Sequence, residues 1–173
     1  MSSKSFIQGS LATLHTRLNE ALEDLTPEQL NWRSPLGGNP ISFTIWHYAR
    51  TEDNLIQFAL QRKPTVWQER GLAEKFGLDP RAQGTGMSAE DAAKVRLPSV
   101  QEFQPYLAAV WKNTEEFLAG LDEAELTREI ELRGLGKPTY ESILGNTLMT
   151  HGYGHLGEIW YVKGLQGLKG SPI

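Results

Sequence analysis

Leu11-Ala-Thr-Leu14-His15-Thr-Arg-Leu18-Asn-Glu-Ala-Leu22-Glu-Asp-Leu25 decides the fold class. Its leucines recur at steps of three and four residues, which places them on one stripe of an α-helix. The spacing predicts a first long helix from about Lys4 to Asp24. Downstream, Thr26-Pro27-Glu28-Gln29 reads as a new helix start, with a capping threonine, proline at the first helical position and a glutamine three residues after the cap. Pro35-Leu36-Gly37-Gly38-Asn39-Pro40 is a loop by composition. A second long helix is predicted over about Ser42 to Gln61, ended by Pro64. A third begins after Ser99-Val-Gln-Glu102 and runs to about Ala119. A fourth runs from about Tyr140 to Leu165.

Between the second and third helices lies a polar stretch, residues 62–97, too long for a plain connection. It carries Gly84-Thr85-Gly86 and a helix start at Ser88-Ala-Glu-Asp91, so short helices are expected in it. It reads either as a lid or partner surface, or as a crossover along the outside of the molecule. Asp122-Glu-Ala-Glu125 caps a short turn, and the alternation in Glu129-Ile-Glu-Leu132 permits a short strand. Four long amphipathic segments and no credible sheet predict one all-α domain, residues 1–173. It is read as an antiparallel four-helix bundle with a long crossover between the second and third helices.

Bulk properties narrow the function. The 173 residues contain no cysteine, which excludes disulfides, thiolate metal sites and cysteine nucleophiles of the chain's own. The formal net charge is -4 and the lysines are scattered. Nucleic-acid binding through a clustered cationic surface is therefore not expected. No apolar run approaches the ~20 residues of a membrane span, and the first residues do not read as a signal peptide. A cytoplasmic protein with no membrane partner is the expectation.

Chemistry concentrates in His151-Gly-Tyr-Gly-His155-Leu-Gly-Glu158. Two histidines four residues apart on a helix stand about 40° apart around its axis, so both rings can face one ion. Gly152, Gly154 and Gly157 each cost roughly 1 kcal/mol against alanine in a helix interior. They predict close backbone approach by a helix, a second subunit or a ligand. Glu158 shares the stripe and is a candidate catalytic residue: it can orient an imidazole, accept a proton, add a ligand, or simply be solvated. His47, in Ile45-Trp-His47-Tyr-Ala-Arg50, is either a hydrogen-bonded core residue or a ligand from a facing helix. Helix lengths alone leave both a parallel and an antiparallel pairing of its helix with the fourth open. Thr51 and Asn54 share the face of His47. Arg50, Glu52 and Asp53 are expected on a solvated face, His15 is read as structural or exposed, and the tryptophans are assigned mostly to the core.

Three stretches together resemble the DinB/YfiT-like superfamily of metal-dependent four-helix bundles. They are Leu25-Thr-Pro-Glu-Gln-Leu-Asn-Trp-Arg33, Ile45-Trp-His47-Tyr-Ala-Arg50-Thr-Glu-Asp53 and His151-Gly-Tyr-Gly-His155-Leu-Gly-Glu-Ile159. The resemblance implies that His47, His151 and His155 bind one divalent metal ion and that the protein forms homodimers. In some branches it also implies transfer of a low-molecular-weight thiol such as mycothiol or bacillithiol. Three imidazoles suit zinc, nickel, iron or cobalt, and three protein ligands leave a position open, as in catalytic zinc sites. Two functions fit. One is a metal-dependent transferase with a thiol cosubstrate, or a hydrolase, acting on a small molecule. The other is a non-catalytic metal-binding or stress-responsive helical dimer. Against both stands a plain scaffold whose histidines bind nothing.

Overall fold

The computed structural model describes residues 2–132, 134 and 136–171. Four rods form the body. Helix α1 is Ser3–Leu22, followed by the short α2, Pro27–Leu30. Helix α3, Ile41–Asp53, is continued by a π-helical segment, Asn54–Leu60. Short helices α4 (Val66–Glu69), α5 (Leu72–Phe76) and α6 (Ala89–Ala92) lie in the crossover. Helix α7 is Val100–Gly120. A 3₁₀ turn, Glu123–Thr127, leads towards α8 (Tyr140–Ser142), a second π-helical segment (Ile143–Thr150) and α9, His151–Leu165. The last three are one continuous rod.

Local chemistry explains where the elements start. The Thr26 hydroxyl accepts from the Gln29 amide at 3.3 Å, and the Gln29 side chain accepts from the Thr26 amide at 2.9 Å. Ser88 and Ser99 cap α6 and α7 in the simpler one-way manner, accepting from the amides of Asp91 and Glu102. Glu129–Leu132 forms no strand among the described residues. Only isolated bridges join Glu129 to Thr139 and Leu132 to Gly136.

The bundle is not the simple alternating one. Lys4 Nζ donates to the carbonyls of Ala119 and Leu121, while Gln104 Nε2 donates to Asn19, so α1 and α7 are antiparallel. Tyr153 donates to the Ser10 carbonyl and Lys163 to that of Ala21, so α1 and α9 are parallel. Helices α3 and α9 are antiparallel: Asn54 lies across from Asn146, and Thr44 across from Val162. It follows that α3 and α7, consecutive long helices, run in the same direction. A parallel pair needs a connection that travels back along the bundle, and residues 61–99 are that connection.

The expectation of a solvated face for Arg50, Glu52 and Asp53 is corrected: they are 4%, 0% and 1% exposed. Helix α3 is packed against α1, α7, α9 and the crossover, so it has no solvated face to offer. Each charge is matched. Glu52 meets His15 Nε2 at 3.1 Å and accepts from Thr114 at 2.6 Å. Asp53 accepts from the amides of Val66 and Trp67 and from Tyr106, each at 3.0 Å, and so seats the start of α4. His15 is buried and stacks on Trp111 at 4.8 Å. Trp46, Trp67 and Trp111 are core residues.

Gly152, Gly154 and Gly157 of α9 do not share one role. A Cβ on Gly152 would overlap Leu14 and would stand 2.7 Å from the Tyr48 ring. Gly154 and Gly157 have nothing within 4 Å of that position, so of these three only Gly152 is closely approached by another part of the chain. Gly152→Ala is expected to cost about 1–3 kcal/mol through overpacking. Gly157→Ala is expected to gain up to about 1 kcal/mol from helix propensity. Urea unfolding of both variants checks the pair, and equal signs would contradict it.

Candidate metal centre

His47 projects from α3 and His151 and His155 project from the first two turns of α9. One nitrogen from each lies within 4.8 Å of those of the other two. His47 meets both other rings edge-on, with centroids 5.2 Å and 5.1 Å away. The antiparallel pairing of α3 with α9, left open by the sequence, therefore does bring the levels together. The two rods need not begin at the same height, and α9 enters the bundle behind the whole of Tyr140–Thr150 on its own rod.

Each outer nitrogen that has a partner fixes a tautomer. His47 Nδ1 donates to the Gln83 carbonyl, and His155 Nδ1 donates to Glu158 Oε2 at 2.8 Å. Both rings then turn Nε2 inward as a lone pair, the arrangement typical of metal-ligating histidines. His155 Nε2 lies 2.7 Å from His151 Nε2. That approach requires a proton or a cation between the two lone pairs. Burial lowers the pKa of His151 to about 4, reinforced by His155 and His47. Burial also lowers that of His47, against the Gln83 carbonyl. Both are thus neutral near pH 7, which is the ligating form. The donor set fits a divalent ion.

A cavity of about 1000 Å³ opens beside the three rings. Thr51 lines it from α3, Asn54 from the π-helical segment that continues α3, and Asn146 and Thr147 from the facing π-helical segment, with Phe43 and Leu55 supplying apolar wall. The crossover reaches it through Gln83–Met87. Residues 62–97 are thus both the return path and one wall of the site. Glu158 does not line this cavity. It faces a separate recess with Asn39, Thr44 and Tyr161, and its hydrogen bond with His155 holds its pKa below the usual carboxylate range.

What sequence reasoning missed lies behind the rings. Tyr48 is fully buried, with its ring 6.2 Å and 6.5 Å from those of His151 and His155. Burial, with Glu52 beside it, raises its pKa well above the usual phenol range. Its position next to His47 was the available signal.

A family model for the DinB superfamily matches residues 10–159. The chain belongs to the DinB superfamily. It is similar to the crystal structure of a conserved protein from Enterococcus faecalis, with a TM-score of 0.80 and 26% identity. The match covers 95% of this chain and 97% of that one. None of the curated proteins matches it. As a DinB-superfamily member it has the all-α bundle and the long crossover expected from its sequence, and a three-histidine group compatible with metal binding. No helix among the described residues is long and apolar enough to cross a membrane.

Proposed function

We propose that this DinB-superfamily chain is a divalent-metal-dependent enzyme in which His47, His151 and His155 hold the ion. Its reaction is transfer to or from a low-molecular-weight thiol, with hydrolysis of a small molecule as the variant in which water takes the thiol's place. One observation carries the reading: three inward nitrogens stand on the wall of an open cavity of about 1000 Å³, and no fourth His, Asp or Glu joins their group among the described residues. When bound, zinc, nickel or iron would supply Lewis acidity, lowering the pKa of a thiol or water beside it.

The chain's own residues set the rest. It has no cysteine, so a thiol nucleophile must be a cosubstrate. Thr51, Asn54, Asn146 and Thr147 offer hydroxyls and carboxamides to hold the body of such a molecule, and Phe43 and Leu55 shield it from bulk water. Glu158 acts as a positioning residue that fixes the His155 ring, not as a group that exchanges protons with substrate. Homodimer formation and a cytoplasmic location belong to the same proposal, and light scattering of the purified protein tests the first.

The non-catalytic alternative, in which an ion only braces the bundle, predicts a closed site, and the open cavity weighs against it. Metal-dependent turnover across a panel of thiols, including mycothiol and bacillithiol, and of esters is the deciding assay. Absence of turnover in zinc-, nickel- and iron-loaded protein would remove the enzymatic reading. Glu158→Gln is expected to weaken zinc binding about ten-fold by loosening His155. A competing chelator dye measures that loss, and unchanged affinity would leave Glu158 without the positioning role.

A further inference from the structure

We propose that Arg50, acting through the crossover backbone from Pro80 to Gly84, is the positioning residue that sets the tautomer of His47 and turns its Nε2 into the cavity. The inference rests on the metal reading above only for its consequence, not for its geometry.

Arg50 stands one helical turn after His47, and its side chain is buried. Its guanidinium lies over the Trp67 ring, 4.9 Å from the centroid. Nε donates to the Ala82 carbonyl and Nη2 to the Pro80 carbonyl, both at 3.4 Å. Nη1 lies 4.0 Å from Asp53 Oδ2, which balances the charge. Two carbonyls of the crossover are thus drawn towards α3 by one rigid fork. The carbonyl next in the chain, that of Gln83, accepts from His47 Nδ1.

Gly84, one residue further on, shows how closely the crossover is held. It is buried with φ at +91°, and a Cβ there would stand 2.7 Å from His47 Nδ1 and 3.0 Å from Phe43 Cζ. Phe43 stacks on the His47 ring at 5.7 Å and 9°. The ring therefore sits between an aromatic plane and a backbone that only glycine lets approach. Filling the space under Trp67 would need no charge. A buried guanidinium carries a large desolvation cost, and in return it fixes the one stretch of crossover that addresses a metal-site histidine. With Nδ1–H tied to a carbonyl, the lone pair is on Nε2. Without that tie the imidazole is free to put its proton on Nε2, where it blocks ligation.

The test uses the full-length, metal-free protein with ¹⁵N-labelled histidine, whose two ring nitrogens report the tautomer directly. Wild type is expected to show His47 as the Nδ1–H form. Arg50→Met is expected to show a mixture with the Nε2–H form, and zinc affinity, measured against a chelator dye, is expected to fall about ten-fold. Arg50→Lys, which keeps the charge but loses the fork, is expected to fall between. Arg50→Lys decides the matter if Arg50→Met does not fold, while Gly84→Ala, whose Cβ would press on the His47 ring itself, is expected to give a mixture with Arg50 intact. The proposal is overturned if a folded variant keeps His47 wholly in the Nδ1–H form with zinc affinity within about two-fold of wild type, well inside the usual outer-sphere range. If wild type itself binds no zinc, the metal reading fails, and the tautomer spectra alone decide the role of Arg50.

Discussion

His151→Ala is expected to lower zinc affinity by more than about 100-fold, the upper end of what losing an outer-sphere partner alone costs. It removes one of only three nitrogens in the group, and no other His, Asp or Glu joins that group among the described residues. The fold is expected to persist. The ring is half-buried on a cavity wall, and alanine is the better helix former. In the wild type, zinc at about 1,000 times its dissociation constant adds about 4 kcal/mol. For a chain of this size that is about 10 °C in Tm. The variant is expected to show no such rise. Metal analysis of untagged protein, together with thermal scans with and without zinc, measures both effects. One zinc per chain retained by the variant would show that His151 is not a ligand.

The second large effect is structural. Glu52→Ala is expected to destabilise the protein by about 3–5 kcal/mol, the cost typical of stripping one partner from a buried charged pair. That corresponds to about 10 °C or more in Tm. Glu52 has no exposed surface, and its loss leaves His15, the Thr114 hydroxyl and the Tyr48 hydroxyl facing a void. Glu52→Gln keeps the volume and one acceptor, so its loss is expected to be smaller. The pH dependence has a definite sign. Burial pushes the Glu52 pKa up, but His15, Thr114 and Tyr48 together hold it below 4.5. The stabilisation is therefore complete above pH 4.5 and is lost as pH falls through the lower folded value. Glu52→Ala is expected to flatten the acid limb of a stability–pH curve, and an unchanged limb would remove Glu52 as its source.

Much of this architecture could be read from residue spacing, and the parts that could not share a physical cause. The leucines of α1 face one side only, so their stripe is plain. In α3 nearly every side chain is buried, charged ones included, so no polar face marks the inner one. Burial of Arg50, Glu52 and Asp53 depends on partners far away in sequence, on α1, α4, α7 and the crossover, and no local pattern carries those pairings. The His151–His155 half of the site follows from helix geometry. His47 joins it through tertiary packing, and before the structure only the resemblance tied it to the other two. The role of Gly84 was illegible for the same reason, since the ring it approaches belongs to a distant helix. The π-helical winding before His151 did leave a trace. Leu144, Leu148, Gly152 and Leu156 are all buried at unbroken steps of four. A regular α-helix would drift about 40° at each such step, and the wider winding of the first half absorbs part of that drift.

The two π-helical segments have a consequence for how this site can change. One comes after His47 on its rod, the other directly precedes His151, and they face each other across the cavity. Rewinding Ile143–Thr150 to an ordinary α-helix with its residue number unchanged would rotate α9 relative to α8 by about 100°, the turn of the one extra residue that such a segment accommodates. His151 and His155 would swing away from His47 with no side chain of the site altered. For this bundle the winding of the segment ahead of the histidines is as much a part of the binding site as the histidines themselves.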